Sequence, residues 1–249
     1  MKKVCIITVI VLACATSVFF FGWTQFSVPA GKYGIMLSKS GGYYPQAIMP
    51  GNFTWRWERI VPTNAQILVF DLTPRQVNYA ADGMLPSADR YAKVLNTKDD
   101  FSWAFGIDAL VTLKAEQLVP VVEKNTIQTQ EALESYIDSH IRAILQTIMY
   151  RYISELIDNP YEYQQVKTDY HLLSEKLRGE LVKTIGQDFS VEAVTLTKLT
   201  IPDIHTYKIA EQAYNTYEQQ REMLLAETAA KEAQYAASEQ FQIDRLTKW

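Results

Sequence analysis

The chain has 249 residues, of which 48% are hydrophobic and 21% charged, enough apolar side chain to fill a core and too much for a disordered polymer. Its formal net charge of −4, with no Lys/Arg cluster, excludes the electrostatic footprint of a nucleic-acid-binding protein. The two cysteines, Cys5 and Cys14, both fall in the apolar N-terminal run, so the remaining chain has no disulfide, thiol nucleophile or cysteine metal site.

After Lys2 and Lys3 no charged residue occurs until Lys32. Val4–Trp23 supplies the roughly 20 apolar residues that cross a hydrocarbon core of about 30 Å. Each Val, Ile, Leu or Phe near the centre favours insertion by ~0.3–0.6 kcal/mol. Three readings of this segment compete. A signal peptide would be cleaved after Ala13-Cys14-Ala15, and a lipoprotein signal would use Cys14. An uncleaved anchor accounts for the apolar run continuing through Val18, Phe19, Phe20, Phe21 and Trp23, which either cleavage would leave exposed. In every case Lys2 and Lys3 keep the N-terminus cytoplasmic and the body is exported, to a periplasmic or other extracytoplasmic side. Trp23 and Phe26 are expected at the far membrane interface, where amphipathic rings are favoured.

From Val28 to Leu113 the pattern is mainly β. Tyr33–Leu37 reads as a strand followed by a turn at Lys39–Gly42, and Ile67–Leu72 as another strand. Phe53, Trp55 and Trp57 alternate with polar residues, which predicts a strand with one aromatic face. That face either belongs to the core or lies at the membrane interface, Trp55 and Trp57 being about 30 residues beyond the anchor. Gln76–Asp100 is polar, without period, and reads as a loop. Phe101–Leu113 alternates strictly and predicts a long strand.

Helical periodicity follows. Thr129 caps a predicted helix carrying Leu133, Ile137, Ile141, Ile144, Leu145, Ile148 and Tyr152 on one face, and Asn159-Pro160 interrupts it. A second helix carries Leu172, Leu173, Leu177, Leu181 and Ile185, with Gly186 expected as its left-handed C′ residue. Phe189–Ile201 returns to β alternation and Pro202 ends it. Helices beside an antiparallel sheet make an α+β domain. Asp203–Trp249 contains no Gly or Pro and is rich in Ala, Glu and Gln, which predicts one helix of about 70 Å. Ala226, Ala230, Ala233 and Ala237 form a heptad seam of small residues, and Tyr217 and Leu224 roughly continue it, so this helix is expected to pack on copies of itself.

No reactive constellation stands out. His140, His171 and His205 lack metal-ligand spacing, and there is no GxSxG, phosphate-binding loop or GxGxxG. Neither a cofactor nor a catalytic residue is expected.

Four short motifs in order carry a resemblance. They are Val28-Pro29-Ala30-Gly31-Lys32-Tyr33-Gly34-Ile35, Ile48-Met49-Pro50-Gly51-Asn52-Phe53, Thr97-Lys98-Asp99-Asp100, and Gly186 with Phe189–Ile201 before Pro202. With the anchor before them and the long helix after, the chain resembles the SPFH or band 7 superfamily of stomatins, prohibitins, flotillins and bacterial regulators of a membrane protease. Gln76–Lys98 is longer than that pattern. The resemblance implies an α+β domain at 27–202, divided into a β-rich part (27–113) and a helix–strand part (114–202). It lies between the anchor (1–26) and an oligomerisation helix (203–249). It further implies a non-enzymatic scaffold, ring-like with itself or a homologous chain, organising a lipid bilayer and regulating a partner such as a membrane protease. The competing expectation from the residues is a monomeric exported module that binds lipid or peptide on the Trp55/Trp57 face.

Overall fold

The structure is a computed structural model that describes residues 2–49, 51–61 and 63–247. In chain order it contains α1 (Lys2–Gly22), β1 (Tyr33–Ser38), β2 (Gly42–Tyr43), β3 (Ala65–Phe70), β4 (Arg75–Met84) and α2 (Ala88–Leu95). Then come β5 (Ser102–Leu113), α3 (Leu118–Lys124), α4 (Gln130–Asp158), α5 (Pro160–Thr168), α6 (Tyr170–Ile185), β6 (Phe189–Thr200) and α7 (Ile204–Thr247). This is a mixed α+β architecture with an apolar N-terminal helix and a long C-terminal one. Two three-stranded sheets are present, in the orders β2-β1-β3 and β4-β5-β6.

The chain folds into two compact units. The first comprises Met1–Ala80, Gly106–Ser154 and Gln165–Thr197. In it β1 pairs antiparallel with β3 from Tyr33↔Phe70 to Ser38↔Ala65, and Val28, Met36 and Ile48 pack beneath that ladder. The first sequence motif has a physical cause here. Gly31 takes φ +79°, which an L side chain adopts only with strain, and a Cβ at Gly34 would stand 2.5 Å from the Val28 side chain. The Thr129 hydroxyl accepts from the Ala132 N–H at 3.2 Å and so caps α4. Leu133, Ile137, Ile141 and Leu145 are buried on its inner face. Arg75 clamps the start of β4 to α4 through Glu134 (2.7 Å) and Asp138 (2.8 Å). Beside it the Gln130 amide exchanges two hydrogen bonds with the Asp71 backbone.

The second unit comprises Ala81–Phe105, Glu155–Gln164 and Lys198–Trp249. Its buried side chains include Leu85, Tyr91, Phe101, Trp103, Ile204, Tyr207 and Ala210. The Asp203 carboxylate accepts from the His205 N–H at 2.9 Å and starts α7.

Three expectations require correction. Gln76–Asp100 is not a loop: it holds most of β4 and all of α2. The strand escapes notice because its inward face, after Val77 and Tyr79, shrinks to Ala81 and Gly83, with Gly83 placed so that a Cβ would meet the Trp103 ring at 2.7 Å. Phe53, Trp55 and Trp57 do not form a strand face in the core. Trp55 makes one isolated bridge, Trp57 opens a 3-10 turn ending at Arg59, and the three rings are 56, 38 and 55% exposed. Gly186 is not left-handed either: as C-cap of α6 it has φ −62°, and glycine is needed because a Cβ would lie 2.3 Å from the Val182 carbonyl. Helix α3 and helix α5, which starts at Pro160 where the missing N–H costs nothing, were not legible as separate elements.

Candidate functional site

Helix α1 presents a 20-residue apolar run, Lys3–Gly22, in which every residue from Lys3 to Phe21 is exposed and Gly22 alone is buried within the chain. Its few hydroxyls are satisfied internally. Thr8 donates to the Val4 carbonyl (3.0 Å), Thr16 to Leu12 (2.8 Å) and Ser17 to Ala13 (2.9 Å). A helix facing hydrocarbon needs that, since no water is there to bond them. Cys5 and Cys14 are free thiols on its exposed surface.

The C-terminal end of α1 is where the helix meets the folded body. The last carbonyls of a helix have no partner within it and carry the negative end of its dipole. Here two of them, and the carbonyl of Trp23 just beyond the helix, are met from the segment 55–59. The Trp55 indole donates to the Phe19 carbonyl at 3.2 Å, the Arg56 N–H to Gly22 at 2.8 Å, and the Arg59 guanidinium to Trp23 at 2.9 Å. A second Arg59 nitrogen donates to the Ser27 hydroxyl at 2.8 Å, and Thr24 gives both its N–H and its hydroxyl to the Thr54 carbonyl. Partial burial pushes the Arg59 pKa below its ordinary value, yet the cation sits where the helix dipole favours it. The Arg56 guanidinium lies over the Tyr44 ring, 3.7 Å from its centroid.

Around these bonds stands an aromatic cluster. Phe53 stacks on Phe19 with centroids 5.8 Å apart and meets Trp23 edge-on at 5.1 Å, while Trp23 also contacts Phe20. Of the expected membrane-facing residues, Trp23, Trp55 and Trp57 are thus gathered at one end of α1, and the side chain of Phe26 lies outside the described residues. Sequence reading missed Phe53 as a partner of the helix, and missed Arg56 and Arg59 altogether. The signal was available in principle: one cationic residue inside an aromatic alternation and another two positions after it, with an apolar helix whose end lacks its own basic cap.

At the other end of the chain, α7 has one face on α2. Tyr207 and Tyr214 pack on Tyr91, and the Tyr207 hydroxyl donates to the Pro86 carbonyl at 2.8 Å. Beyond Glu218 every described residue of α7 is exposed, including Leu224 (62%), Tyr235 (75%), Phe241 (69%) and Leu246 (78%). Ala226, Ala230, Ala233 and Ala237 share one side of this stretch. Because α7 is continuous, Leu224 lies roughly 160° around the helix from Ala226 at 3.6 residues per turn, and Tyr217 falls with Leu224. The seam and its expected extension are therefore two separate rows on nearly opposite sides.

Among the described residues no group of three His, Cys, Asp or Glu side chains could hold a metal. His140 lies between the Tyr136 and Phe189 rings as a packing residue.

Residues 26–237 match the model of the SPFH domain / Band 7 family. A protein of Treponema pallidum (strain Nichols), itself uncharacterized, is 36% identical over 248 residues, covering 100% of this chain and 83% of that relative.

Proposed function

The chain belongs to the SPFH domain / Band 7 family, and from that premise we propose that it is a non-enzymatic membrane scaffold whose anchored copies assemble side by side through α7. Members of this family are generally membrane-associated, oligomerising scaffolds. One observation supports the reading for this chain above the others. Helix α7 has 44 residues, and its last 29 expose large apolar side chains without covering from their own chain. Solvated helices that long normally keep such residues inside an interface.

Two rows on opposite sides of one helix suit an array in which each copy touches a neighbour on either flank. The Ala226/Ala230/Ala233/Ala237 row lets a backbone approach closely, and the Tyr217/Leu224 row of the next copy supplies the knobs. A contact between unlike surfaces propagates until it closes into a ring. Residues 1–26 act as cytoplasmic stub and anchor, 27–202 as the scaffold domain and 203–249 as the assembly helix. Lys2 and Lys3 orient the N-terminus to the cytoplasm and the body to the exported side. Anchoring confines copies to one plane and raises their effective concentration, so weak lateral contacts suffice. The partners are the bilayer, further copies or a homologous chain, and a client membrane protein, for which a protease is the class the family suggests.

The test is the size of the full-length protein extracted from membranes in mild detergent, after crosslinking. A large oligomer is the expected result and a monomer sinks the proposal. The alternative of a monomeric lipid- or peptide-binding module has less support, because Trp55 and Trp57 flank the anchor helix rather than line an enclosed cleft.

A further inference from the structure

The depth that α1 requires has a consequence for the loop packed against it. Lys3 is the last charge before the apolar run, so it marks one headgroup plane. At 1.5 Å per residue, Phe19 then lies about 24 Å and Gly22 about 28 Å along the helix. Both are short of the roughly 30 Å of hydrocarbon that the helix has to cross. Every turn of α1 is needed for the span, including the one that carries Phe19, Phe20 and Phe21, which are 45, 51 and 68% exposed.

That same turn is bonded to the folded body. Phe53 stacks on Phe19, and the Trp55 indole donates to the Phe19 carbonyl. Raising the loop clear of the bilayer would raise Phe19–Phe21 with it. The span left, Lys3–Val18, is about 22 Å, a mismatch the bilayer would have to thin to meet. We propose that Phe53–Trp57 is submerged in the leaflet on the body's side, a second membrane insertion alongside α1 whose ligand is the lipid bilayer itself. This rests on the anchor part of the function proposed above and is independent of the assembly part.

The local chemistry fits a buried loop. Irregular backbone is tolerated at membrane depth only where its polar groups are satisfied. Here the Thr54 carbonyl accepts from Thr24, the Arg56 N–H reaches Gly22, and the Trp55 indole is spent on Phe19. The side chains that remain outward, Phe53, Trp55 and Trp57, are those that favour the interfacial region. One charge, Arg56, lies within this segment with its guanidinium turned onto the Tyr44 ring, and charge returns after it at Glu58 and Arg59, with Arg59 bound to the Trp23 carbonyl just past the helix. The guanidinium groups then stand at the level of lipid phosphates.

The experiment uses the full-length chain with Cys5→Ser and Cys14→Ser, reconstituted in phosphatidylcholine/phosphatidylglycerol vesicles. Nitroxide labels are placed one at a time at Phe53→Cys, Trp57→Cys, Val11→Cys and, as an exposed reference on α6, Glu175→Cys. Collision with oxygen, which concentrates in lipid, is compared with collision with a water-soluble nickel chelate. Labels at residues 53 and 57 are expected to follow Val11 in favouring oxygen, while the label at residue 175 favours nickel. If 53 and 57 behave like 175 while Val11 remains lipid-exposed, the insertion is wrong and the anchor stands; if Val11 is also open to nickel, both fall. Should the Phe53 label disturb folding, quenching by lipids brominated near the interface gives the second reading. The unlabelled chain is expected to lose most of its quenching on Trp55→Phe with Trp57→Phe, and unchanged quenching overturns the proposal.

Discussion

Gly22 and Trp55 are fitted to each other: a Cβ at residue 22 would stand 2.3 Å from the indole nitrogen that donates to the Phe19 carbonyl. No rotation of the helix relieves that contact, because Arg56 and Arg59 fix the same turn. Gly22→Ala should therefore displace the indole and cost on the order of 1–3 kcal/mol, the usual range for overpacking. A lowered melting temperature with altered tryptophan emission is expected. Unchanged values for both would mean that the fit is looser than the geometry states.

The two rows on α7 predict that either one alone is indispensable to assembly. Ala233→Glu and Leu224→Glu, on opposite sides, should each reduce a large oligomer in mild detergent to small species. Both residues are exposed within the single chain, so folding stability should move by no more than about 0.5 kcal/mol. An intact assembly in Leu224→Glu would leave the alanine row as the working contact.

Tyr207 ties the start of α7 to the segment before α2, and Tyr207→Phe removes one hydrogen bond while keeping the ring against Tyr91 and Phe101. The expected loss is about 1 kcal/mol, read from denaturant unfolding. Burial first, then the neighbouring Tyr91 hydroxyl and Glu211, hold the Tyr207 phenol well above the usual tyrosine range. It stays a neutral donor, so the loss should be constant from about pH 5 to pH 9.

Glu180 bonds Lys183 at 2.8 Å and also pairs with Arg151, and these contacts, Lys183 first, lower its pKa from the ordinary 4.5. A carboxylate depressed in the folded state contributes stability above its unfolded pKa and loses it as pH falls through the folded value. The melting difference between the native chain and Glu180→Gln should be present above pH 4.5 and close below it. A difference that persists in acid would assign the effect to something other than this charge.

Much of the fold was legible because its signals are local. Strict alternation marked β5, a capping threonine and an apolar stripe marked α4, and the absence of Gly and Pro marked α7. What escaped was set by distant partners. The inward face of β4 starts with Val77 and Tyr79 but shrinks to Ala81 and Gly83, where Trp103 fills the space, so the hydrophobic alternation fades along the strand. Phe53, Trp55 and Trp57 alternate like a strand, yet it is the carbonyls of α1, more than 30 positions earlier, that decide where they go. Periodicity in one segment cannot report a cap supplied to another. For the same reason the aromatic residues of the candidate site were visible one by one, and the arginines that complete it were not.

The three hydrogen bonds that close the end of α1 come from residues up to 36 positions further along the chain. During synthesis the helix is complete long before they exist, and its terminal carbonyls must stay hydrated until Trp55, Arg56 and Arg59 arrive. On the anchor proposed above, seating the helix at full depth and folding the first 60 residues become coupled steps, the second supplying the cap that the first requires.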